Sequence, residues 1–212
     1  MLATLDTALI VRKIGRVDYA ESLAAMRQFT AGRSEETPDE LWVLEHPPVY
    51  TLGQGADPAH APREDTGIPV VRVERGGEVT YHGPGQVVIY TLVDIARRGI
   101  KVREFVKLLE QCVIDLLAAH GVAAARKPGA PGVYVQGAKV AALGIRVTRG
   151  RALHGLALNV DMDLAPFGAI DPCGYPGLAV TQTKDLGIAA GADALGIDLA
   201  RRIARQLELH HA

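Results

Sequence analysis

A cysteine set among turn formers, as in Asp171-Pro172-Cys173-Gly174-Tyr175-Pro176-Gly177, is easier for a substrate to reach than one on a buried face. The thiolate is the reactive form of such a residue. Cys173 by itself reads equally as a nucleophile or as a bystander on a loop. Lys139 is a single cation within the apolar, small-residue run Gly137-Ala138-Lys139-Val140-Ala141-Ala142-Leu143-Gly144, where a core would exclude charge. An isolated strand lysine is ordinarily solvated and faces outward; the chemical alternative is an amine held beside a reacting group.

Between these candidates in kind, though earlier in the chain, lies Arg75-Gly76-Gly77-Glu78-Val79-Thr80-Tyr81-His82-Gly83-Pro84-Gly85-Gln86. Glycines let backbone amides approach a ligand closely, and Arg, Thr, Tyr and His surround them with donors. Such a segment could hold a carbonyl or phosphate oxygen beside an apolar pocket, or it could be a tight loop in which Gly and Pro serve turn geometry alone. It is no Walker A loop, because no Gly-Lys-Ser/Thr follows, and no dinucleotide fingerprint, because no G-x-G-x-x-G opens a helix.

The remaining reactive side chains carry less. Cys112 falls on the apolar stripe of a helical pattern and reads as a small core residue. His46, His82 and His154 lack the close spacing of a helix-borne metal motif, and no second cysteine stands near Cys173, so no metal site is expected. His82 reads as a polar wall of the candidate pocket, and His46, ahead of Pro47-Pro48, as a residue that orients that loop.

Five blocks together carry a resemblance: His46-Pro47-Pro48-Val49-Tyr50-Thr51-Leu52-Gly53, the Arg75 to Gln86 run, the segment 137–147, His154-Gly155-Leu156-Ala157-Leu158-Asn159-Val160, and the Cys173 motif. In this order they resemble the lipoyl(octanoyl) transferases, whose fold is related to that of lipoate and biotin protein ligases. The resemblance implies a catalytic dyad of Cys173 and Lys139. It also implies acyl-contacting segments at Arg75, Gly76, Gly77, Glu78, Val79, Thr80, Tyr81 and His82, at Ala142, Leu143 and Gly144, and at Gly155, Leu156 and Ala157. Ordinary strand packing is the competing role for the last two segments.

The implied reaction moves an octanoyl group from octanoyl-acyl-carrier protein to a lysine of a lipoyl domain. Acceptors would be the lipoyl domains of 2-oxoacid dehydrogenase complexes and the glycine cleavage H protein, and no cofactor is implied. A nearby ammonium stabilises a thiolate, and a partly desolvated amine gives up its proton more readily, which suits the pair to this work. Backbone amides near Leu143-Gly144 or Cys173-Gly174 are the candidates for oxyanion donors. The rival readings are an ATP-dependent lipoate or biotin ligase, which needs no such cysteine, and a non-catalytic carrier-binding module.

These residues need a scaffold. Apolar residues at Val102, Phe105, Val106, Leu109, Cys112, Val113, Leu116 and Leu117 recur at helical spacing before Gly121. Further helices are expected from Tyr19 to Phe29, before Gly32, and over 193–209. Runs rich in β-branched residues at 8–14, 41–45, 70–73, 87–93, 132–135, 139–147 and 153–160 read as strands, the last three as two antiparallel hairpins. Segment 54–67 reads as a surface loop. The expected class is α+β, a mixed and largely antiparallel sheet with flanking helices, in one catalytic domain over residues 1–212.

Twenty-three basic side chains against 24 acidic ones leave no field to draw in nucleic acid or an anionic membrane. No apolar run approaches the roughly 20 residues that span a bilayer. The N-terminus lacks the basic segment and cleavage site of a signal peptide, so a cytoplasmic location is expected.

Overall fold

The computed structural model describes residues 9–62, 66–171 and 177–210. Cys173, with Pro172, Gly174, Tyr175 and Pro176, lies outside the described residues, as does Ala8 at the head of the first expected strand.

Chain order is β1 (Leu9–Arg16), α1 (Tyr19–Gly32), β2 (Asp39–Glu45), β3 (Val49–Leu52), β4 (Val70–Arg72), β5 (Val79–His82), β6 (Gln86–Leu92), α2 (Val102–Ala119), β7 (Ala125–Lys127), β8 (Ala130–Val135), β9 (Ala138–Thr148), β10 (Arg151–Asn159) and α3 (Ala192–Glu208). Seven strands form one sheet in the order β1-β2-β6-β10-β9-β8-β7, with β1 parallel to β2 and every other neighbour antiparallel. The two expected hairpins, β8–β9 and β9–β10, occupy one half of this sheet. A small sheet in the order β4-β3-β5 flanks it.

Both faces of the large sheet are covered, and alternation sorts its side chains between them. Leu41, Val43, Val87 and Ile89 pack in one cluster with α2 and α3, whereas Trp42, Leu44, Val88 and Tyr90 pack with Tyr19, Leu23 and Met26 of α1 on the other side. Burial on two faces explains why these strands read as continuous apolar runs. The three expected helices are present, with α1 running on past Phe29 to include Gly32. Asp18 caps α1 by accepting from Ala20 N at 2.7 Å. Past α2, Gly121 takes φ +77° and its N–H returns to the Ala118 carbonyl.

The differences are local. Val102, expected on the buried stripe, is 46% exposed, and its neighbours Arg103 and Glu104 in the first turn of α2 are exposed too, so the buried stripe begins at Phe105. Strands β3, β5 and β7 were not expected; each has only three or four residues, too few to display a period. The loop over 54–67 contains a short 3₁₀ turn at Pro58–His60. Cys112 is 1% exposed, and burial pushes its thiol up to about 12, as suits a core residue. Among the described residues no helix is long and apolar enough to cross a membrane.

Candidate active site

A cavity of about 350 Å³ opens between β9–β10, the Arg75 segment and the N-terminal half of α2. One wall is a ladder of matched cross-strand pairs: Ala142 opposite Ala157, Leu143 opposite Leu156, and Gly144 opposite Gly155. The two segments singled out separately in the sequence are thus one surface, and its small residues leave room for a chain of methylenes. Gly155 has to be glycine, since a Cβ there would fall 2.0 Å from the Ile89 carbonyl oxygen.

The facing wall is Arg75 to Thr80 together with His82. Alternation along β5 turns Thr80 and His82 to the cavity and Tyr81 away from it. The Tyr81 ring packs on Tyr50 and Phe167, with centroids 5.5 Å away in each case, so it does not line the cavity. Gly76 N donates to the Ile145 carbonyl at 3.0 Å and ties this wall to β9. Arg75 donates to the Thr51 carbonyl at 2.8 Å, to Thr51 Oγ1 at 2.9 Å and to the Gly76 carbonyl at 3.0 Å, so these donors brace the wall.

Lys139 is 3% exposed, not outward-facing. Its Nζ donates to the Pro131 carbonyl at 3.0 Å and sits 5.1 Å from the centroid of the Tyr134 ring. Gly132, at φ +142°, makes the slot: a Cβ there would lie 2.9 Å from Lys139 Cε. Lys139 does not itself line the cavity, but Pro131, whose carbonyl it holds, does.

Sequence reasoning passed over Tyr19, Tyr90 and His154 as parts of this wall. They come from three different elements and share no motif. His154 has φ +64°, a left-handed backbone that breaks strand alternation and brings its ring within 6.3 Å of the Tyr90 ring. It is 1% exposed, lies 3.8 Å from Glu74 Oε1, and neither ring nitrogen has a hydrogen-bond partner among the described residues. His46 is fully buried; Nδ1 donates to the Val17 carbonyl at 2.8 Å and Nε2 accepts from the Tyr90 hydroxyl at 2.7 Å. It therefore ties the approach to α1 to β6 in addition to preceding the Pro47-Pro48 turn.

Burial holds these imidazoles neutral. It takes His82 down to about 3, helped by His46, and His154 down to about 4 against the pull of Glu74. The unfolded chain binds those protons near the ordinary value of 6.5, so as pH falls below it the unfolded state gains protons that the folded state refuses. Stability is thus full above that value and is lost at up to ~1.4 kcal/mol per pH unit per histidine on the way down. The melting temperature is expected to fall steadily between neutral pH and pH ~4.5, and His82→Gln should flatten that slope. A melting temperature independent of pH over this range would contradict the neutral cluster.

A family comparison matches residues 18–189 to the lipoyl protein ligase A/B catalytic domain. The chain belongs to this family. Within it, the chain is 60% identical over 200 residues to an octanoyltransferase of Aromatoleum aromaticum, covering 94% of this chain and 86% of that protein. It is 63% identical over 183 residues to one of Thiobacillus denitrificans, covering 86% and 84%. Among solved structures, a lipoate-protein ligase A bound with ATP superposes with TM-score 0.77 at 16% identity, covering 95% of this chain and 85% of that one. A biotin protein ligase from Aquifex aeolicus superposes with TM-score 0.57 at 12% identity, covering 93% and 70%. These two likenesses establish the lipoate and biotin ligase fold and nothing finer.

In this lipoyl protein ligase A/B family member the cavity itself can be tested. Ala142→Leu would put a branched side chain where Ala142 and Ala157 now leave space. If two or three methylenes of an acyl chain are displaced at ~0.8 kcal/mol each, affinity drops by ~2 kcal/mol. The variant should lose octanoyl binding while retaining that of a butanoyl thioester, measured as kcat/KM for each. Equal loss for both chain lengths would place the acyl group elsewhere.

Proposed function

We propose that this chain is an octanoyltransferase that takes its acyl group from octanoyl-acyl-carrier protein and places it on a lysine of a lipoyl domain. The observation that carries this reading is a buried amine, Lys139, held on the Pro131 carbonyl at the edge of a cavity walled by Ala, Gly and Leu pairs. The high identity to proteins called octanoyltransferase supports it. Octanoylation of lipoyl domains in 2-oxoacid dehydrogenase complexes and of the glycine cleavage H protein is the corresponding cellular role, in the cytoplasm, by a single catalytic domain.

In this mechanism the Cys173 thiolate attacks the thioester carbonyl of the donor. The tetrahedral intermediate collapses, the carrier thiol leaves with a proton from the Lys139 ammonium, and an octanoyl thioester remains on Cys173. The acceptor amine then attacks that thioester. Lys139 takes up its proton, Cys173 leaves as the thiolate, and an amide is formed. Exchange of one thioester for another is nearly neutral, and amide formation draws the second step forward, so no ATP enters.

Transfer is tested by mixing the protein with octanoyl-carrier protein and a lipoyl domain, and separately with free octanoate, ATP and the same domain, then measuring the mass of the domain. The proposal requires octanoylation in the first mixture alone. Octanoylation only in the second would make the chain a ligase, and binding of the carrier without transfer in either would make it a carrier-binding module.

A further inference from the structure

A hydrogen-bond chain leaves the cavity wall and ends at Lys139. Arg75 donates to Thr51 Oγ1, which lies 3.4 Å from His82 Nε2. His82 Nδ1 donates to Gln86 Oε1 at 2.7 Å, Gln86 Nε2 donates to Asn159 Oδ1 at 2.9 Å, and Asn159 Nδ2 donates to the Thr181 carbonyl at 3.0 Å. Thr181 N then donates to the Lys139 carbonyl at 2.9 Å, and Lys139 N to the Ala179 carbonyl at 2.8 Å. A peptide carbonyl only accepts, so the sense of the bonds is fixed backwards from Thr181 through Asn159 and Gln86 to His82 Nδ1, and the neutral imidazole is left to accept from the Thr51 hydroxyl at Nε2. That sense makes His82 the Nδ1–H tautomer and sets the orientation of both amides.

Gln86 and Asn159 face each other across the β6–β10 pair and are 1% and 4% exposed. Water cannot readily replace either amide there, and a lost partner would leave buried polar groups unmatched. Neither side chain lines the cavity, so neither is a substrate contact. What they hold is the segment 179–181, which brackets Lys139 through a parallel bridge at Val180 and follows Cys173 closely in the chain.

We propose that Gln86 and Asn159 are positioning residues that lock segment 179–181 onto Lys139, so that the amine keeps one register with the acyl cavity. This rests on the reading of Cys173 and Lys139 as the dyad. Loss of the Asn159 amide frees the Thr181 carbonyl and loosens the bracket, while the walls that grip the acyl chain stay in place.

The test uses Asn159→Ala, Asn159→Asp, Gln86→Met and the double variant Asn159→Ala/Gln86→Met. Single-turnover acylation by octanoyl-carrier protein is followed by intact mass, and octanoate binding by calorimetry. Misplacement of reacting groups by about 1 Å costs on the order of 100-fold, so acylation should slow by about 10–100-fold in each single variant. Octanoate affinity should be unchanged. Asn159→Asp keeps the acceptor for Gln86 but not the donor to Thr181, and should match Asn159→Ala. Since both residues act through one chain, the double variant should be no slower than the slower single one.

Parallel loss of binding and acylation, or losses that multiply in the double variant, would mean that the pair only stabilises the fold and would overturn the proposal. If Asn159→Ala does not fold, Gln86→Met carries the same comparison. Variants that acylate at the unaltered rate overturn this inference alone; an unaltered protein that forms no adduct overturns the dyad reading beneath it.

Discussion

Lys139→Ala should slow octanoyl transfer by about 100- to 10,000-fold, the range spanned by loss of a positioned general acid or base. In the proposed mechanism both half-reactions need the amine, first to deliver a proton to the departing carrier thiol and then to accept one from the incoming lysine. Single-turnover measurement of each half-reaction should find both slowed. Lys139→Arg should not restore activity, because a guanidinium stays protonated and cannot act as a base. The slot beside Gly132 is also shaped to a linear stem. The Pro131 carbonyl loses a donor in Lys139→Ala, a cost of about 1–3 kcal/mol for a buried acceptor left unmatched, so the protein should stay folded with a lowered melting temperature while activity collapses. Transfer at the unaltered rate in Lys139→Ala would remove the residue from the mechanism.

The largest effect on stability is expected at Asp39, which does not line the cavity. Its carboxylate is fully buried and accepts from Arg33, from Arg97 at 2.8 Å and from Arg98 at 2.7 Å, with Asp94 N as a fourth donor at 2.8 Å. Arg33 also reaches the Leu92 carbonyl and Arg98 the Leu207 carbonyl, so the cluster joins the end of α1, β2, the turn after β6 and the end of α3. Asp39→Ala strands buried guanidinium groups without their counter-ion. Breaking a buried pair in this way costs about 3–5 kcal/mol, a large part of the roughly 5–15 kcal/mol that holds a domain folded. Urea denaturation should report that loss as a lowered midpoint. By contrast, Arg12 is half-exposed where it meets Glu40, and Arg12→Ala should lower the urea midpoint far less than Asp39→Ala.

Much of this architecture was legible because it follows from short-range patterns. The stripe from Phe105 to Leu117 needed only helical spacing, and the β8–β9–β10 hairpins needed only β-branched runs split by Gln136-Gly137 and Arg149-Gly150, where Gln136 and Arg149 take φ +50° ahead of the left-handed glycines. The segments that the resemblance offered as acyl-contacting were found through their motifs, and all of their residues but Tyr81 line the cavity. What escaped was long-range or too short to have a period. Strands β3 and β5 are four residues each, too short for alternation to establish a period. Tyr19, Tyr90 and His154 meet only because β6, β10 and α1 stack, and the left-handed turn at His154 has no glycine or asparagine to announce it. The burial of Lys139 ran against the ordinary behaviour of a strand lysine; Gly132, which makes room for it, sits on the neighbouring strand.

The proposed mechanism passes through a covalent octanoyl thioester on Cys173, formed without ATP. Its most direct test is the intact mass of the protein after incubation with octanoyl-carrier protein alone, followed by peptide mapping of the adduct. One octanoyl group is expected on Cys173, lost on addition of a lipoyl domain and never formed in Cys173→Ala. An unmodified mass under these conditions, or an adduct that persists in Cys173→Ala, would contradict it.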